Sequence, residues 1–449
     1  MKILFKSPEI EVPEGSPFQN DKLHFKEKVT NITELLKNIS SPMVLSINAP
    51  WGCGKTTFLK MVNADLRKKG GTTIFFSAWE TDFVDDPLLA FLGEINQQLS
   101  SIMGEDVNKK ETLQKVMDIG SEIFKIAVPA LVKAVTGGAV DVGEATKDLV
   151  DKYMEGKKQI TEFKENLGKL VSDVNGKKIY IFVDELDRCK PTYAIHLLER
   201  IKHLLGIEGI VFVLAMDKLQ LSHSIRGVYG NGFDAIGYLR RFIDIEYTLP
   251  QPELNNFIDH LFKEYNFQRI SNLEGLKVIF KSLASSNNLS LREIEQYLAK
   301  INLVLYATKG TLYPELLVFL LFVKERHVEI YREYIKENIT PANIIELLGK
   351  LVPEKNSLGR DQRAVVEAYL IAAKYRRYDE NHIIDAHNKV INDEAVNAQE
   401  RQYSQCVVLE YEWVINNRGN DFSLRNIVSQ LEMLEGFTFP AAAIQTADA

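Results

Sequence analysis

An α/β fold is expected for most of this chain: a doubly wound parallel sheet with a helical insert, followed by an all-helical C-terminal region. Three observations predict it. Apolar, β-rich runs alternate with helical patterns from about residue 43 to residue 249, as expected for a parallel sheet covered on both faces. The interval from about 100 to 176 is long, charged and helical, with no strand signal. Beyond Pro250 the strand signals stop and helical periodicity takes over.

Taken in order, residues 1–20 are rich in Pro, Ser and Glu and read as an extended segment. Asp21 to Asn38 reads as a helix approaching the first strand, Met43 to Ile47, an unbroken apolar run. A helix begins near Lys55 and carries Phe58, Leu59, Val62 and Leu66. Thr72 to Ala78 is the second strand, followed by Trp79, an acidic stretch from Glu80 to Asp86, and a helix from Pro87 to about Leu99. Ile179 to Val183 is continuous and apolar, as a central parallel strand should be. A helix from Thr192 to Leu205, apolar at Ile195, Leu198, Ile201 and Leu205, leads to Ile210–Met216 and to a shorter strand, Ile243–Leu249. The expected domains are a core over 21–250, a helical lid over 251–302 and a helical C-terminal domain over 303–449. Within the last, Leu316 to Val323 reads as a buried helix, and Pro440 to Ala449 as a disordered tail. The Lys374, Arg376 and Arg377 cluster, followed by Asp379 and Glu380, reads as a solvated helix face.

With 449 residues the chain is too long for one compact domain. A net charge of −7 argues against a broad nucleic-acid footprint, while leaving room for a local one. The three cysteines, Cys53, Cys189 and Cys406, show no metal-ligand spacing. Lys2, Lys6, Glu9 and Glu11 break up the amino terminus, so a secretory signal is not expected and a reduced, cytoplasmic setting is. The most apolar stretch, Ile119 to Val142, is interrupted by Glu122, Lys125, Lys133 and Asp141, and no membrane insertion is expected.

Residues 48–57, N-A-P-W-G-C-G-K-T-T, carry the strongest chemical signal. Lying between a strand and a helix, Pro50, Trp51, Gly52, Cys53, Gly54, Lys55, Thr56 and Thr57 form a loop whose backbone N–H groups can converge on phosphate oxygens. Gly52 and Gly54 supply backbone freedom, Lys55 a cation for the terminal phosphates and Thr56 a hydroxyl suited to magnesium. Ala49 stands where a further glycine is usual, which is costly only if that residue needs a positive φ. The second signal is Y-I-F-V-D-E-L-D-R-C-K-P, residues 180–191. A strand ending in adjacent carboxylates offers Asp184 as a magnesium partner and Glu185 to polarise an attacking water.

These motifs resemble the KAP family of P-loop NTPases, in the STAND and AAA+-like part of that class. The resemblance rests on P-W-G-C-G-K-T-T, on F-F-S-A-W-E-T-D (75–82), on V-D-E-L-D-R-C-K-P (183–191), on V-F-V-L-A-M-D (211–217) and on G-Y-L-R-R-F (237–242). It spans about Asp21 to Asn302. It implies an ATPase using ATP and Mg2+. It also implies a role in prokaryotic defence against phage or plasmids, with a protein effector as partner. A homo-oligomer is expected from the paired Arg240 and Arg241 and from the apolar stretch around Ile119 to Val142, which needs a covering surface. Family members often place membrane helices between the two nucleotide motifs; the charged, proline-interrupted insert here implies a member without them.

Several positions stay open. Asp217 ends a strand where related ATPases sense the γ-phosphate, and would equally cap the next helix. Arg240 and Arg241 match an arginine-finger position, with surface ion pairing as the plainer alternative. Arg292 resembles a lid arginine that touches the γ-phosphate, and an i,i+3 pair with Glu295 would explain it as well. Asp187 and Arg188 match the family signature or form an ion pair with each other. Trp51 packs under the phosphates, against the lid or in the core. Cys189 reads as a small buried residue, not a nucleophile.

Overall fold

The computed structural model describes residues 10–84, 86–103, 110–120, 142–173, 178–202, 206–265, 267, 270, 273–308, 313–335, 362–375, 382–417 and 422–437. The chain divides into two compact units, one over Ile10–Pro252 and the other containing Glu253–Ala449.

In the first unit, α1 (Lys26–Asn38) precedes β1 (Met43–Asn48), and α2 (Lys55–Lys68) leads to β2 (Thr72–Ser77). Next come α3 (Pro87–Met103), α4 over 110–120 and α5 (Val142–Asp173). Then follow β3 (Ile179–Asp184), α6 (Pro191–Ile201), β4 (Ile210–Met216), α7 (Lys218–Tyr229), α8 (Ala235–Leu239) and β5 (Ile245–Thr248). The five strands form one sheet in the order β2-β3-β4-β1-β5, and every pairing is parallel. All seven residues of β4 are buried, as are all six of β3, which explains the unbroken apolar runs Ile210–Met216 and Ile179–Val183. β5 is an edge strand with a largely exposed face, and it is shorter than the expected 243–249.

α1 starts at Lys26, five residues later than its periodicity suggests. His24 sits at φ 54°, which a helix cannot accept, and the Asp21 carboxylate takes the first free amides instead. Its oxygens accept from Phe25 N at 3.0 Å and from Lys26 N at 2.8 Å. The insert is tied to the sheet at both ends. Phe91 of α3 meets Phe76 edge-on at 5.5 Å, and Leu113, Val116, Phe163, Leu167 and Leu170 are buried in the same core. Most of the apolar stretch Ile119–Val142 lies outside the described residues. No helix among the described residues is long and apolar enough to cross a membrane.

The second unit is entirely helical among its described residues. It comprises α9 (Leu254–Glu264), α10 (Leu273–Ser286), α11 (Leu291–Ala307), α12 (Pro314–Arg326) and α13 (Val328–Ile335), then helices Gln362–Lys374, His382–Asn392, Ala398–Asn417 and Leu424–Glu432. Residues 314–323 of α12 are all buried, so this is a core helix. Arg376, Arg377, Asp379, Glu380 and the segment 440–449 lie outside the described residues.

Candidate functional site

The parallel sheet brings the sequence motifs to one edge. β1 lies beside β4, and β4 beside β3, so the loop after β1, Asp217 after β4 and Asp184 at the end of β3 are neighbours. The carboxyl ends of strands in such sheets are where ligands bind.

The loop's backbone follows its glycines. Gly52 and Gly54 have φ of 78° and 83°, and Gly54 starts α2 from the left-handed conformation, where a side chain would be strained. Ala49 is not among the residues with positive φ, so its methyl is tolerated. Cys53 is buried, and its thiol faces Gln251 Oε1 at 3.7 Å. Lys55 folds back on the loop: Nζ donates to Ala49 O at 2.6 Å and to Pro50 O at 3.2 Å. Burial lowers its pKa, opposed by the charges of Asp187 and Asp217.

Asp184 is buried at the end of β3 and accepts from Glu185 N at 2.8 Å. Burial raises its carboxyl to about 6, while a hydrogen bond from the Thr56 hydroxyl pulls it down. A hydroxyl and a carboxylate side by side are hard oxygen donors of the kind magnesium uses when phosphates complete its shell. No group of three or more His, Cys, Asp or Glu side chains that could hold a metal ion occurs among the described residues.

Glu185 occupies left-handed backbone at φ 60°, ψ 26°, an uncommon conformation for glutamate. Both of its oxygens are engaged: Ser77 Oγ at the end of β2 donates at 3.1 Å, and Arg188 binds the other oxygen. Arg188 also lies over the Trp79 ring at 6.0 Å. The plainer alternative for Asp187 and Arg188, an ion pair, does not form between them. Asp187 turns inward and accepts from Trp51 Nε1, a use of that indole that the sequence does not reveal. The Ser77–Glu185 contact is equally hidden, although Ser77 sits inside the 75–82 motif. β2 pairs with β3 so that Ser77 lies opposite Asp184, and only that register brings the contact into view.

Asp217 caps α7, accepting from Gln220 N at 3.1 Å through Oδ1, whereas Oδ2 is buried without a partner among the described residues. Both alternatives for this residue thus remain physically available on different oxygens. Arg240 and Arg241 follow α8, are exposed and make no ion pair among the described residues. Arg292 is exposed at the start of α11 in the second unit, and the pair with Glu295 does not form. Cys189 is buried, its thiol is pushed up to about 12 by burial, and it faces Glu185 O at 3.5 Å. A thiol so hard to ionise is unsuited to nucleophilic attack.

A glycine loop between a parallel strand and a helix, set against an acidic strand end, defines the P-loop class of α/β domains. The chain belongs to the KAP family: the family model described as the KAP family P-loop domain matches residues 25–308. Among solved structures, the chain is similar to the ORC2 protein of Aeropyrum pernix in ADPNP-ADP complexes, at 14% identity and a TM-score of 0.36, covering 90% of this chain and 97% of that one. It is also similar to AMPPCP-bound DnaA from Aquifex aeolicus, at 14% identity and a TM-score of 0.30, covering 97% and 100%. For Cdc6p from Pyrobaculum aerophilum the figures are 13%, 0.33, 96% and 88%. At such scores nothing further about this chain follows from these likenesses. No curated protein matches it.

Proposed function

We propose that the chain is an ATP-hydrolysing P-loop NTPase that works as a nucleotide-driven switch. The observation that carries this reading is the convergence of the glycine loop, Lys55, Thr56, Asp184 and Glu185 at one sheet edge. The loop amides from Pro50 to Thr57 cradle the phosphates, and Lys55 exchanges its two loop carbonyls for the terminal phosphates. Thr56 and Asp184 would hold magnesium, which would supply positive charge to offset that of the phosphates. Glu185 orients the attacking water once it leaves Ser77 and Arg188. Asp217 offers its free oxygen toward the same space, Arg292 serves as the lid arginine, and Arg240 or Arg241 reaches the nucleotide of a second copy. ATP is preferred because the chain has no N-K-x-D guanine-reading motif and because of its family.

A second reading, an ATP-binding scaffold with little turnover, is favoured by one feature: Glu185 and Lys55 are both satisfied by the protein itself. Phosphate release from ATP decides between the two. Glu185→Gln should abolish release while MgATP stays bound; a wild-type protein that binds ATP and releases no phosphate with any added partner establishes the scaffold. The biological setting we propose is a cytoplasmic defence system in which ATP state gates a protein effector, with residues 303–449 as the docking region. The sequence offers no second catalytic motif that would make the chain its own effector. Identification of proteins retained by the Glu185→Gln form on ATP tests this; retention unchanged by deleting 303–449 refutes the docking region.

A further inference from the structure

Asp187 has a place in the site that the proposed hydrolysis does not use. Glu185's left-handed backbone and the short 3-10 turn Leu186–Arg188 swing it back toward the glycine loop, with Leu186 fully buried as the pivot. Its side chain is 1% exposed. One oxygen, Oδ2, accepts from Trp51 Nε1 and lies 3.9 Å from Lys55 Nζ. The other, Oδ1, is buried without a partner among the described residues. Its neighbour Arg188 is committed elsewhere, to Glu185 and the Trp79 ring. A buried carboxylate so sparsely compensated is expensive, and its one direct donor among the described residues belongs to the loop itself.

The geometry points to Asp187 as a positioning residue for nucleotide binding: through Trp51 it fixes the loop backbone that wraps the phosphates. It touches no reacting atom. The link joins the loop after β1 to the turn after β3, across β4, so the phosphate cradle and the residue that orients water share one anchor. This inference rests on the nucleotide-binding reading above.

A double-mutant cycle in the full chain tests it, with a fluorescent non-hydrolysable ATP analogue and Mg2+ followed by anisotropy. Trp51→Phe keeps the ring and removes the donor; Asp187→Ala removes the acceptor; Asp187→Asn keeps an oxygen that can accept from Trp51. Each of the first two should weaken analogue binding about tenfold, the size of one lost buried hydrogen bond. The combined variant should be no weaker than either alone, because both act through one contact. Asp187→Asn should retain more affinity than Asp187→Ala. Losses that multiply in the combined variant, or equal losses in the Asn and Ala variants, overturn the inference. If Asp187→Ala fails to fold, a Trp51→Phe loss together with near-normal binding by Asp187→Asn supports the inference equally, and the reverse result refutes it. A wild-type chain that does not bind the analogue sinks the nucleotide reading and this one together, whereas wild-type binding with independent losses sinks only this one.

Discussion

Asp184 shows how a buried carboxylate at the end of a strand costs stability. Its carboxyl is raised by burial from an ordinary 3.8 to about 6. A carboxyl that holds its proton more tightly in the folded state stabilises the fold when protonated. That contribution is complete below about pH 4 and is lost as pH rises through 6. Asp184→Asn removes the buried charge, so the nucleotide-free variant should melt above wild type at pH 7.5. The gain is on the order of 1–3 kcal/mol, and the two proteins should converge toward pH 4. Magnesium-dependent nucleotide binding should disappear in the same variant. Equal melting temperatures at pH 7.5 would show that the site is not a reservoir of unfavourable charge.

Single elements carry their own tests. Gly54 starts α2 at φ 83°, where L-residues lose about 1–2 kcal/mol, so Gly54→Ala should lower the melting temperature and distort the phosphate cradle together. α11 opens with a reciprocal cap: Ser290 Oγ accepts from Glu293 N, and Glu293 accepts from Ser290 N at 2.7 Å. Ser290→Ala should cost about 1 kcal/mol in urea unfolding of the second unit. A buried polar cluster ties three later helices of that unit. His387 lies 3.0 Å from Ser404 Oγ and 3.1 Å from Glu367 Oε1, and Tyr403 donates to the other oxygen of Glu367. Ser404, His387 and Glu367 are all buried. His387→Ala removes the partner of the Ser404 hydroxyl and of one Glu367 oxygen and leaves a cavity, and should destabilise by about 2–4 kcal/mol. A loss under about 1 kcal/mol would mean that the helices hold without this cluster.

For the whole chain, the exposed Arg240 and Arg241, which make no ion pair among the described residues, motivate self-association driven by nucleotide. Mass measurement should give a larger species with ATP and magnesium than without. One of Arg240→Ala and Arg241→Ala should lower turnover by roughly 10³-fold while ATP binding survives, as expected for a finger acting on charge in the transition state. A monomer in both conditions with full activity removes the oligomer, and with it the reason for placing a finger there.

The sequence was enough for the parallel sheet, because strands buried on both faces must be apolar along most of their length, as β4 is throughout and β3 is up to Asp184. It was also enough for the loop and the acidic strand end, because wrapping a phosphate requires glycines, a lysine and a hydroxyl in fixed succession. The chain's membership in the KAP family was legible from those same motifs. Three things were decided only by the fold. The start of α1 depended on Asp21 reaching amides four and five residues onward past the left-handed His24. The bounds of β5 depended on its edge position, where it pairs with β1 alone over Ile245–Thr248 and is exposed on both faces. The partners of Trp51, Glu185 and Asp187 came from register: residues 136 and 108 positions apart meet because parallel strands place their ends side by side. Periodicity reports which face of an element is buried. It carries no information on which polar side chain lies across the gap, since that depends on strand order, and strand order is set by the packing of the whole sheet.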